Sequence, residues 1–185
     1  MIVEYKTISE CIFFELCSRL GYVVTKIPED KNSYTPDFIV TIDKQQLIAE
    51  VKQIDDNPET KSIEKNLLPY RFGEDEEMDM HIGDVKVGRP TLITSKFDKA
   101  VKQLESSSNQ GKITLLAIYL NRFLGRGAYE PQIALDQGNI KIPPEISAIM
   151  LIQNVDIVTG YPDFEPYKIY PNKYAKVPWG ESFFL

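Results

Sequence analysis

The chain has 185 residues, 43% of them hydrophobic and 26% charged, with a formal net charge of −6. That length holds one domain with a sizeable core, and the acidic balance argues against a protein that coats nucleic acid non-specifically. No apolar run approaches the roughly 20 residues that span a bilayer, and the opening MIVEYKTISE shows no basic stretch leading into an apolar one. Neither a membrane helix nor a secretory leader is therefore expected.

Residues 7–20 are predicted to form a helix. Ile8, Ile12, Leu16 and Leu20 recur every fourth position with Phe13 and Cys17 beside them; Thr7 or Ser9 can cap the start, and Gly21 can end it. Cys11 and Cys17 on this helix would lie about 9 Å apart, too far for a disulfide. They are expected as core thiols, which fits a reducing cytoplasm. A strand at 22–27 and a polar loop at 28–35 follow. Two further strands, 37–42 and 45–52, are joined by a tight turn at Asp43-Lys44.

The segment from about 54 to 93 reads as an insertion beside the core. It holds a possible helix at 60–68, an acidic run (Glu74, Asp75, Glu76, Glu77, Asp79) and a stretch punctuated by Gly and Pro at 83–90. Its basic end continues into the next helix, so Lys86, Arg89, Lys96, Lys99 and Lys102 oppose only Asp84 and Asp98. The single histidine, His81, has no cysteine cluster with it and reads as a surface residue, which excludes a structural zinc site and any histidine-dependent triad. Residues 95–107 are amphipathic, with Phe97, Ala100, Val101 and Leu104 on one side and Thr94 or Ser95 as the cap. Residues 113–120 form a continuous apolar run, as expected of a central strand buried on both faces. Asn121–Gly127 reads as a basic loop, and 146–152 and 155–159 as shorter strands. From about 161 to 185 a tail rich in Pro and aromatic residues is expected to drape over the core or to mediate self-association, which leaves a homodimer open. This order of elements predicts an α/β fold with a mixed sheet flanked by helices.

The hairpin carries the chemistry. If Asp43 and Lys44 are the turn, residue 42 pairs with 45 and 37 with 50, so that Asp37 lies across from Glu50 and Lys52 shares their face. The opposite face then collects Phe38, Val40, Ile42, Leu47, Ala49 and Val51, all apolar, an independent check on the register. Two opposed carboxylates repel, and the arrangement makes sense with a divalent cation between them. Oxygen ligands with open water positions suit Mg²⁺ or Mn²⁺. Such an ion would lower the pKa of a bound water and stabilise charge on a phosphate, with Lys52 acting on the water or on the transition state.

Pro36-Asp37, then twelve residues, then Glu50-Val51-Lys52 resembles the PD-(D/E)XK motif of restriction-endonuclease-like nucleases. The helix ending at Leu20-Gly21-Tyr22 is similar to the first helix of that superfamily, which often offers a glutamate to the site. Glu10, at the edge of the apolar stripe near Phe13 and Phe14, is the first choice for it, and Glu15 the second. The helix with Lys96, Lys99, Lys102 and Gln103 resembles the one that follows the ExK strand, and Ile113–Leu120 the next core strand. The resemblance covers residues 7–53 and 94–120 and leaves the long segment between them and the C-terminal third outside it. It implies one nuclease-like domain over 1–185, a restriction-endonuclease-like core, and a Mg²⁺-dependent deoxyribonuclease, for which the thiols above make the cytoplasm the expected setting. Asp37, Glu50 and the Val51 carbonyl would be the metal ligands, Lys52 the base or charge stabiliser, and Glu10 an accessory acid. Lys96 and Lys99, at a helix start whose dipole favours anions, are the expected phosphate contacts, with Arg122 and Arg126 next. The alternative is a catalytically inactive relative that serves as a binding or assembly module through the 54–93 segment and the tail.

Overall fold

Asp43 and Lys44 both take left-handed backbone conformations, with φ of 45° and 73°. Two such residues in succession make the two-residue turn whose twist matches that of the strands it joins. The computed structural model describes residues 7–30, 33–55, 91–121, 126–153 and 167–180. Within them the elements run α1 (Ile8–Arg19), β1 (Val23–Lys26), β2 (Phe38–Ile42), β3 (Gln45–Asp55), α2 (Thr91–Thr94), α3 (Phe97–Asn109), β4 (Ile113–Asn121), α4 (Arg126–Asp136), β5 (Ala148–Gln153) and β6 (Tyr167–Pro171). The six strands form one mixed sheet in the order β1-β2-β3-β4-β5-β6. β1, β2 and β3 are antiparallel neighbours, β4 is parallel to both β3 and β5, and β6 returns antiparallel to β5.

The side-chain period of two along the strands produces two cores. On one face Phe38, Val40, Ile42, Leu47, Ala49 and Val51 pack with Leu115, Ala117 and Tyr119 under Phe13 and Cys17 of α1. On the other, Ile48, Ile54, Leu116, Ile118 and Leu120 pack under Ile93 of α2, Phe97, Ala100 and Leu104 of α3, and Ala134 and Leu135 of α4. β4 is apolar without alternation because both of its faces are covered, by α1 on one side and by α3 and α4 on the other. The described residues are thus a mixed α/β architecture with helices on both faces of the sheet. None of their helices is long and apolar enough to cross a membrane.

α1 starts where the sequence indicates, with the Thr7 hydroxyl accepting from the Glu10 N–H at 3.2 Å. It ends on Gly21, whose φ of +80° lets the Gly21 and Tyr22 N–H groups close back onto the carbonyls of Ser18 and Cys17. Only Cys17 is a core thiol, and burial pushes its pKa up to about 12. Cys11 is half-buried, because six helical positions rotate it by about 120° from the Cys17 stripe.

Other expectations are corrected. α3 begins two residues later than predicted: the single turn of α2 occupies Thr91–Thr94, and Ser95 donates its hydroxyl to the Leu92 carbonyl instead of capping α3. Arg126 opens a helix rather than closing a basic loop. Residues 167–171, expected within a draping tail, are instead the sixth strand, with Tyr167 and Ile169 packed on the α1 face; Pro171 stands at its end, where an edge strand tolerates a missing donor. Trp179 also packs against that core. The expected helix at 60–68, the acidic run, His81, Lys86, Arg89, the strand at 155–159, Arg122 and residues 181–185 lie outside the described residues.

Candidate active site

Phe13 and Phe38 fix the placement of the site. Their rings meet at 5.5 Å between centroids across the α1–β2 contact, so Glu10, one turn before Phe13, is drawn towards Asp37, the residue before Phe38. Asp37 is held by its backbone on both sides. Its carbonyl accepts from Ile27 N–H at 2.9 Å, and its N–H donates to the Ala49 carbonyl at 3.1 Å. The regular β2–β3 ladder therefore stops at Phe38↔Ala49, and Asp37 is not a ladder partner of Glu50 as the turn alone implies. Beyond the end of β2 the Val51 N–H has lost its strand partner, and the Asp37 carboxylate replaces it, accepting through Oδ2 at 2.8 Å. A strand residue turns its N–H and C=O to the same edge, so the Val51 carbonyl faces this gap too.

Glu50 and Lys52 project from β3 towards α3. Glu50 is 0% exposed, and its Oε1 accepts from the Lys52 ammonium. Lys52 also donates to Gln103 Oε1 on α3 at 3.0 Å, while Gln103 Nε2 donates to the Thr35 carbonyl at 3.1 Å. One glutamine thus ties α3 to β3 and to the loop that leads into Asp37. Glu50 Oε2 is buried with no donor on it. The Asp37 carboxyl lies beside Glu50, and two such acids can be joined only by a proton on one of them.

Burial first, and then the charge of Asp37, push the Glu50 pKa up to about 8 against the pull of Lys52. Burial likewise raises Asp37, and the nearby Glu10 charge adds to this; the Val51 N–H and Lys52 oppose it. Glu10 is 6% exposed and pairs with Lys26 of β1 at 2.5 Å. Glu15, by contrast, has a side chain 59% exposed and pairs along the helix surface with Arg19.

The structure therefore brings Asp37, Glu50 and Lys52 together with Glu10 alongside. Lys96 and Lys99 lie on the Gln103 side of α3, seven and four residues before it; Lys96 is half-buried at the helix start and Lys99 exposed. Gln103 and Lys26 are the site residues that sequence reasoning misses as site members. Gln103 carries the only usable signal, its place on the same helix stripe as Lys96 and Lys99.

A divalent cation fits this donor set. Glu50 Oε2, buried without a donor, belongs to the carboxyl beside half-buried Asp37, and the Val51 carbonyl faces the same edge of β3 as the Val51 N–H that Asp37 accepts. Among the described residues no group of three His, Cys, Asp or Glu side chains forms a ready-made cage. Two carboxylates and a carbonyl leave positions for water and substrate oxygen, the open coordination that Mg²⁺ keeps. No protein-family model, no curated protein and no solved structure matches the chain.

Proposed function

We propose that this protein is a metal-dependent phosphodiesterase acting on nucleic acid, with DNA the expected substrate, built on a restriction-endonuclease-like core. The observation that carries this reading is the juxtaposition of the fully buried Glu50 carboxyl, with one bare oxygen, and the half-buried Asp37 carboxyl, against a lysine anchored from a second element. A stable fold gains nothing from setting two carboxyls side by side where one of them must keep its proton, and a cation between them removes the conflict. The order of α1, the β1–β2–β3 meander, the crossover through α3 and the parallel β4 agrees with the resemblance of the motif. The free thiols Cys11 and Cys17 accord with a reducing, cytoplasmic setting.

Asp37, Glu50 and the Val51 carbonyl would hold Mg²⁺ or Mn²⁺. The ion, when bound, supplies a water of lowered pKa and neutralises charge on the phosphate. Lys52 keeps its Gln103 anchor whether or not Glu50 is engaged elsewhere, so an ammonium with three protons has donors left for the attacking water or a phosphate oxygen. Glu10, held by Lys26, adds negative charge beside Asp37 and makes the site more attractive to a cation.

Mn²⁺ titration by calorimetry tests the metal site. Asp37→Asn is the variant of choice because it keeps an acceptor for the Val51 N–H. It is expected to reduce Mn²⁺ affinity at least about tenfold, the effect of removing a charged ligand, with the fold retained. Equal affinity in the two proteins would remove Asp37 from the site.

The phosphate must enter beside several acids, so cationic side chains should flank the cleft. Lys96 and Lys99, at the N-terminal end of α3, are placed for this. Replacing both with Glu is expected to weaken DNA binding and to flatten its salt dependence, leaving Mn²⁺ affinity nearly unchanged. Wild-type binding at every salt concentration would show that the strand enters elsewhere.

A further inference from the structure

Tyr34 is 60% exposed, yet it sits on a loop fixed from two sides. From within, the Ser33 hydroxyl donates to Asp30 Oδ2 at 3.0 Å and lies 3.2 Å from the Thr35 hydroxyl. From α3, Gln103 holds the Thr35 carbonyl, and the same glutamine holds Lys52. The Lys102 ammonium stands over the ring, 5.7 Å from its centroid. Tyr34 precedes Asp37 by three residues, so at most about 10 Å of chain separates them. That is the span of about three stacked nucleotides at about 3.4 Å each.

We infer that Tyr34 and Lys102 form a platform that stacks an unpaired nucleobase next to the reacting phosphate, which makes single-stranded nucleic acid the substrate class. This rests on the nuclease reading above. A lone exposed tyrosine is ordinary on a protein surface. This one differs in its anchorage: its loop is tied through Gln103 to the lysine of the site, so a base resting on it is placed relative to Lys52 and Asp37. An exposed aromatic ring with a cation on it is the combination that binds single strands without regard to sequence, the ring surface left open by the ammonium taking a base and the ammonium a neighbouring phosphate. A base inside a duplex already has both faces covered by its neighbours and cannot use the ring. Lys102 also supplies positive charge next to an otherwise acidic centre.

The test uses the full chain with Ca²⁺, an oxygen-seeking cation, and oligonucleotides carrying the fluorescent base 2-aminopurine, either single-stranded or closed in a blunt hairpin. The wild type is expected to bind the single strand more tightly and to quench its fluorescence. Tyr34→Ala should weaken single-strand binding about tenfold or more and abolish the quench, whereas Tyr34→Phe should keep both. Lys102→Gln should weaken binding and reduce its salt dependence. A Tyr34→Ala protein that binds and quenches the single strand like the wild type overturns the inference. Mn²⁺ titration and Mn²⁺-dependent cleavage, measured on the same proteins, separate the two failures. Cleavage and metal binding with no role for Tyr34 sink the stacking platform alone, while absence of both in the wild type sinks the nuclease reading and the platform with it.

Discussion

Lys52→Ala is expected to lower phosphodiester cleavage by about a hundredfold to a thousandfold, the effect of removing one preorganised donor from a charge-stabilising site. Mn²⁺ should still bind, because Asp37 and Glu50 remain. Gln103→Leu should produce a smaller loss of the same kind, since it leaves the ammonium but removes its anchor on α3 and the tie to Thr35. On the proposed mechanism Gln103 would act through Lys52 as a positioning residue, so its loss should appear in kcat more than in KM. Single-turnover cleavage by both variants checks the ranking. Cleavage by Lys52→Ala at the wild-type rate would exclude the lysine from the mechanism.

Glu50 gives the second large effect, and it is written in pH. Its folded pKa of about 8 lies above the ordinary carboxylate value of 4.5. Between those two values the folded protein holds a proton that the unfolded chain has released. Stability from this group is therefore fully present below about pH 4.5 and falls as pH rises towards 8. A tenfold change in proton affinity is worth about 1.4 kcal/mol, so the loss is on the order of a few kcal/mol, or several degrees of Tm. Glu50→Gln should raise the Tm of the metal-free protein at pH 8 and flatten its pH dependence, since an amide still accepts from Lys52 and carries no charge to bury. On the proposed reading the same proton would oppose the cation. Mn²⁺ affinity should rise about tenfold per pH unit from about pH 6 to 8 and then level off. Scanning calorimetry across that range checks the first effect, and titrations at each pH check the second. A wild-type Tm that rises with pH between 6 and 8 would contradict the assignment.

The hairpin was legible because its determinants are local. Asp43-Lys44 sets the register, and Phe38, Val40, Ile42, Leu47, Ala49 and Val51 confirm it by alternation. The shift at Asp37 was not, since it arises where β2 ends between β1 and β3 and no turn residue encodes it. α1 was legible from its fourfold stripe, and the same pattern singled out Glu10 over Glu15 by nearness to Phe13. α4 was hidden by Gly127 and by Pro131 inside it, residues that weigh against a helix unless packing such as that of Ala134 and Leu135 compensates. β6 was hidden by the Pro and aromatic content around it, because its pairing with β5 is a long-range event. Glu50's burial depends on α3 folding over β3 more than forty residues later in the chain. No local pattern announces that, or the reach of Lys26 and Lys102, and Gln103 is marked only by sharing the helix stripe of Lys96 and Lys99.

Whether Asp37 and Glu50 hold a cation for phosphodiester hydrolysis is decided by one cleavage assay. Purified wild type and Asp37→Asn are incubated with Mn²⁺ and end-labelled single- and double-stranded DNA and RNA, with chelated controls. The wild type is expected to cleave single-stranded DNA in Mn²⁺ but not in chelator, and Asp37→Asn is expected not to cleave it. Absence of cleavage on every substrate, or equal cleavage by the two proteins, would contradict the proposed site.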